Sequence, residues 1–134
     1  MAIVIDADVI IRGEKGAFDL PVWLDNRPQE TYFVASVTIA ELWHGIERAT
    51  GKFRIAREAY LQNLVSRLVI LPYVQSTALI HARIWAHLES AGNVIDDYDM
   101  IVAATAIEHG YPVATFNLRH FQRVPSLVVI EPTI

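Results

Sequence analysis

No cysteine occurs anywhere in this chain. That excludes disulfides and thiolate metal sites, and it leads to the expectation of a reducing, cytoplasmic setting. Lysine is almost missing, present only as Lys15 and Lys52. The histidines stand at positions 44, 81, 87, 109 and 120. None forms the i, i+4 pair of a helical zinc site, and they are expected at the surface or its boundary. No apolar run reaches the length of about 18 residues that a membrane span needs. The start, MAIVIDADVII, has acids where an export signal needs an apolar stretch, so neither anchor nor export is expected. Repeats, low-complexity tracts and glycine-rich phosphate loops are also lacking. Positive charge is short as well: the net charge is −4 and the pI is near 5.7. A general nucleic-acid coat protein is thereby excluded. Contact with nucleic acid would need a local basic patch and cations at the acids.

What is present is apolar. Hydrophobic residues make up 53% of 134 and charged ones 19%, so residues 1–134 are expected to form a single domain with a sizeable core. Ala2-Ile3-Val4-Ile5 reads as a buried strand of a parallel sheet that delivers Asp6, and with it Asp8, to the sheet's carboxyl edge. Capping of the following segment explains Asp6 equally well. Residues 12–20 read as a loop and Pro21–Leu24 as a short helix. Tyr32–Ala35 reads as a second strand, followed by a helix from Ser36. Phe53, Ala56, Tyr60, Leu61, Leu64, Val65 and Leu68 recur at helical spacing, predicting an αα-hairpin in the middle, broken at Gly51. Val69–Leu71 is a third strand. A helix from Thr77 to Ala91 carries Leu79, Ile80, Ile84 and Leu88 on one side. The segment from Asp96 to His109 is apolar almost all round, hence a buried helix, and Gly110 ends it. Pro112–Thr115 and Leu127–Ile130 complete the strands. The class expected is α/β, with a mainly parallel central sheet flanked by helices.

Acids collect where strands end and helices begin: Asp6, Glu41, and the trio Asp96, Asp97 and Asp99. Right-handed β-α-β connections bring such positions to one edge of the sheet. Gathered carboxylates raise one another's pKa values, and a hard divalent cation removes that penalty. Oxygen-only ligands favour Mg²⁺, with Mn²⁺ able to substitute. Each acid also has a plainer role available. Asp96 or Asp97 can cap its helix, and Thr38 with Glu41 has capping-box spacing. Arg48, Arg54 and Arg57 on the middle helices are read as ordinary solvated faces. Arg119 and Arg123, beside Asn117, are better placed to contact a nucleic acid at the acids.

Four stretches in order, IDADVII, SVTIAELWHGIERA, DYDMIVAATAIEHG and VATFNLRHFQRVPSLVV, resemble the PIN-domain ribonucleases, specifically the toxins of VapBC-type toxin–antitoxin pairs. The resemblance covers nearly the whole chain and implies a PIN-like fold. It also implies Mg²⁺-dependent endonucleolytic cleavage of RNA, a homodimer, and a cognate antitoxin lying in a groove formed partly by the middle helices. It carries the metal and catalytic roles onto Asp6, Glu41 and Asp99. Ala7 stands where many members have a hydroxyl, and Asn117 where some have a fourth acid. Asn117 is accordingly expected at the edge of the site, and Asp97 is expected to supply the fourth charge. Two alternatives compete. Asp6-Ala7-Asp8 after an apolar strand also fits a haloacid-dehalogenase-like phosphohydrolase, although neither lysine stands after a strand entering the site. A non-catalytic, metal-binding regulatory module is the other.

Overall fold

The computed structural model describes residues 1–134. Twelve elements follow in order: β1 (Ala2–Ile5), α1 (Ala7–Glu14), α2 (Leu20–Asp25), β2 (Thr31–Ala35), α3 (Ser36–Arg48), α4 (Gly51–Val65), β3 (Val69–Leu71), α5 (Gln75–Ser90), α6 (Asp97–His109), β4 (Val113–Ala114), α7 (Leu118–Phe121) and β5 (Val129–Ile130). The strands form one sheet in the order β3-β2-β1-β4-β5. Every pairing is parallel, so the expected mainly parallel sheet is wholly so.

β1 lies at the centre, and its alternation builds a core on each face, because successive side chains of a strand point to opposite sides. Ile3 and Ile5 join Trp23, Leu42, Ile46 and Leu61 in one cluster. Val4 joins Ile84, Leu88, Met100 and Phe121 in the other. Both faces of β1 are therefore dry, which is why its residues are continuously apolar. α6 is buried as its composition requires, and Gly110 ends it with φ 72 in the left-handed region. There a side chain on Cβ would be strained.

Several expectations fail for physical reasons. Residues 12–14 belong to helix α1 rather than to a loop. Gly13 sits inside that helix because a Cβ there would lie 2.9 Å from both Leu20 Cβ and the Tyr60 hydroxyl. α3 begins at Ser36, directly after β2, so Thr38 is an interior residue of the first turn. Its hydroxyl is buried without a partner, and α3 has no side-chain cap. The capping-box reading of Glu41 thus falls. The apolar faces of α4 and α5 are only partly used. Leu61 and Leu64 are buried, but Phe53 is 85% exposed and Leu79 56%. α7, between the last two strands, has no counterpart among the elements expected from the sequence. No helix is long and apolar enough to cross a membrane.

Candidate active site

β1 ends at the carboxyl edge of the sheet and hands Asp6 to α1 as its N-cap. Asp6 is buried: Oδ1 accepts from the Ala7 N–H at 2.8 Å, and Oδ2 accepts from the Thr115 hydroxyl at 2.8 Å. Capping and membership of the site are therefore one arrangement for this residue. β4, the neighbour of β1, is followed directly by Thr115, whose hydroxyl lies within 3.3 Å of Asp8 as well. Asp8 also accepts from the Phe116 N–H at 3.1 Å. Glu41, one turn into α3, and Asp99, in the first turn of α6, face the same space. The result is an open cleft of about 370 Å³, lined by Asp6, Asp8, Glu41, Asp99, Arg12, Phe116 and Asn117 among others. This is where ligands bind in open parallel α/β sheets.

Electrostatics follow from the crowding. Burial raises the pKa of Asp6 well above the ordinary carboxylate value, and the charges of Asp8, Asp99 and Glu41 push it further while the Thr115 hydroxyl opposes them. Burial likewise raises Asp8, against hydrogen bonds from its neighbours and the charge of Arg12. Glu41 is pushed up to about 7, by burial first and then by Asp99, Asp96 and Asp8. Asp99 is raised by burial and by Asp96, although the hydrogen bond from His120 pulls the other way.

Asn117 lines this cleft. Its Nδ2 donates to Asp99 Oδ2 at 3.2 Å and lies 2.9 Å from His120 Nδ1. His120 Nδ1 is itself 3.0 Å from the same Asp99 oxygen, so a proton on Nδ1 directs a second donor at Asp99. Nothing in the spacing of the histidines singled out His120. Its signal is only its place one helical turn after Asn117.

Asp97 is not brought in. It is exposed and does not line the cleft, because residues two apart on a helix project to nearly opposite sides, and Asp99 takes the inward one. The fourth carboxylate of the cleft is Asp8, and Asp96, the N-cap of α6, acts on Glu41 and Asp99 through its charge. Arg123 is engaged elsewhere, donating to the Val94 carbonyl at 3.3 Å. Arg119 is exposed on α7 outside the cleft. Of the middle-helix arginines, Arg54 pairs with Glu47 at 3.1 Å and Arg57 with Glu14 at 2.9 Å, while Arg48 is exposed. Lys15 and Lys52 are exposed and absent from the cleft lining, so a phosphohydrolase that needs a lysine at its phosphate has no support.

The donor set fits a hard cation. Glu41 Oε1 is buried with no hydrogen-bond partner, and the surrounding acids are oxygen donors that raise one another's pKa. No three His, Asp or Glu side chains stand close enough together in this structure to hold a metal ion by themselves. An ion in this open cleft would thus keep part of its water shell, as Mg²⁺ usually does.

A family model described as "PIN domain" matches residues 3–127. The chain belongs to the PIN-domain family. Its relatives within that family include Ribonuclease VapC1 of Rickettsia felis, 31% identical over 97% of this chain and 96% of the relative. Among solved structures, VapBC2 of Rickettsia felis bound to a promoter DNA fragment superposes with a TM-score of 0.89 at 22% identity, over 97% of this chain and 98% of the other. The DNA-bound VapBC of Salmonella typhimurium gives 0.87 at 25% identity, over 97% of each chain. The five-stranded parallel sheet is thus that of a PIN domain.

Proposed function

We propose that this PIN-domain protein is a metal-dependent endoribonuclease, the toxin of a type II toxin–antitoxin pair. The observation that carries the reading is the convergence of Asp6, Asp8, Glu41 and Asp99 on one cleft with every one of their pKa values raised. Such a constellation is unfavourable for the empty protein and suited to a divalent cation facing a phosphodiester. Likeness to a named ribonuclease over nearly the full length supports RNA as the substrate.

Asp6, Glu41 and Asp99, with Asp8 in the position expected of Asp97, are the residues that would hold Mg²⁺ or Mn²⁺. The ion supplies an acidified water and positive charge for the scissile phosphate. The chain does the rest. Thr115 fixes the Asp6 carboxylate, while Asn117 and His120 hold one oxygen of Asp99 and leave the other for the cleft. Glu41, whose pKa is pushed up to about 7 without metal, would give up that proton as the cation is taken up, offering Oε1, the oxygen without a partner, as an oxyanion donor.

VapBC assemblies among the structural relatives support a cognate antitoxin as partner, and a homodimer is proposed with it. Phe53 and Ile55 on α4, and Trp85 on α5, at 85%, 72% and 47% exposure, are apolar surface available to such partners. The test is incubation of antitoxin-free protein with cellular RNA, with Mg²⁺ and with EDTA, followed by mapping of cut ends. Cleavage is expected only with the metal, and Asp6→Asn, Glu41→Gln and Asp99→Asn should each abolish it while remaining folded. Metal binding without cleavage by the wild type would favour a non-catalytic regulatory module instead.

A further inference from the structure

An acidic cleft in an acidic protein must still hold a polyanion, and the residues assigned so far offer no cation for it. Arg12 does. It is the basic residue that lines the cleft with Asp6, Asp8, Glu41 and Asp99, projecting from the last turn of α1. Its guanidinium carbon lies 4.4 Å from the centroid of the Phe116 ring. No carboxylate is within ion-pair distance of it, unlike Arg27, Arg54, Arg57 and Arg67, which are paired with acids. Phe116 is itself fixed: its N–H is bonded to Asp8, and its ring meets Phe18 edge-on at 5.2 Å. Stacking holds the plane of a guanidinium but leaves its N–H edges unspent. Arg12 is thus an oriented, unpaired fork of donors beside four acids, a geometry matched to phosphate oxygens.

We infer that Arg12, laid on the Phe116 ring, is the phosphate-binding residue that seats single-stranded RNA in the acidic cleft. This rests on the ribonuclease reading and adds the residue that grips the substrate. Arg12 contributes to binding, not to the chemical step. Removing it should weaken RNA at every sequence alike, and it should leave divalent affinity unchanged or raised, because a cation has left the neighbourhood of Asp8.

The experiment measures binding of a fluorescein-labelled, mixed-sequence single-stranded RNA by anisotropy in Mg²⁺ buffer. It uses the Asp6→Asn protein, so that the RNA stays intact, with and without Arg12→Ala, Arg12→Lys or Phe116→Leu. Arg12→Ala should weaken binding about tenfold and lower the slope of log K against log salt by about 0.7, the value for one single-strand phosphate contact. Arg12→Lys should keep most of the slope but lose affinity, and Phe116→Leu should fall between. In the active protein, Arg12→Ala should raise the half-saturating RNA concentration and leave the plateau cleavage rate within about twofold. Unchanged RNA affinity and salt slope in Arg12→Ala would overturn the inference. So would a loss confined to the plateau rate, which would mean that Arg12 acts on the acids. Failure of the ribonuclease reading shows separately, as a wild type that binds RNA through Arg12 yet never cuts it.

Discussion

Glu41 is the residue through which pH acts most directly on the site. Its folded pKa of about 7 lies above the ordinary glutamate value of 4.5, so the folded chain holds this proton more tightly than the unfolded chain does. The folded state is then favoured below the unfolded value and loses stability as pH rises from about 4.5 through about 7. Asp6, Asp8 and Asp99 are shifted in the same direction and steepen the loss. In EDTA the melting temperature should therefore fall between about pH 5 and pH 7.5, and Glu41→Gln should flatten the upper part of the profile. Parallel profiles for the two proteins would mean that Glu41 titrates as it does in water. Asn117 offers a second test, since Asn117→Asp would set a carboxylate where an amide now donates to Asp99. Metal-free stability should drop and divalent affinity should rise in that variant. Asp97→Asn should leave divalent affinity alone and cost at most the helix-dipole interaction, about 0.3–1 kcal/mol. Calorimetric titration with Mn²⁺ checks both, and a marked loss of affinity in Asp97→Asn would return that residue to the site.

Element by element, α6 shows how one residue serves stability in two opposed ways. Asp96 caps the helix by accepting from the Tyr98 N–H at 2.8 Å, yet its charge repels Glu41 and Asp99. Asparagine caps as well as aspartate. Asp96→Asn should thus raise the melting temperature of the metal-free protein at neutral pH, whereas Asp96→Ala should give back about 1 kcal/mol through the lost cap. Equal melting temperatures for the two variants would show that the cap contributes nothing, and an Asp96→Asn protein melting no higher than the wild type would show that the repulsion does not operate. The same helix shows what could be read in advance. A segment apolar almost all round and Gly110 mark α6, and the resemblance picks out Asp99, but leaving Asp97 out of the cleft takes the helix's phase against the sheet. Thr38 and Glu41 had a capping spacing that the direct passage of β2 into α3 overrides, and only strand pairing sets where that passage falls. Arg12 is not legible as a site residue because residues 12–20 read as a loop, whereas 12–14 close helix α1. Gly13 is helical, and it is small because Leu20 and Tyr60 approach it. Gly13→Ala should accordingly destabilise the protein despite alanine's better helix propensity, by about 1–3 kcal/mol as an overpacking change, measurable by urea denaturation. A gain in stability would show that Tyr60 and Leu20 can yield.

For the whole molecule, the order β3-β2-β1-β4-β5 puts the first strand in the middle and leaves one flank to be supplied by the last quarter of the chain. The hydrogen bond from Thr115 to Asp6 spans 109 positions, and those of Thr115 and Phe116 to Asp8 span 107 and 108. Asp99 is likewise held by Asn117 and His120 from beyond β4. Such distant pairings form late, after the entropy of closing a long loop has been met. A chain ending at His109 should show neither cooperative melting nor RNA cleavage, and either activity or a sharp transition in that fragment would mean that the early elements suffice. A ribosome making this chain releases Asp6 109 positions before Thr115, which organises it. On the proposed function, the unfinished polypeptide is harmless to the RNA around it while it is being translated. On that reading the danger begins only once Thr115, Asn117 and His120 have folded against Asp6 and Asp99, which leaves an antitoxin the interval before then in which to be made.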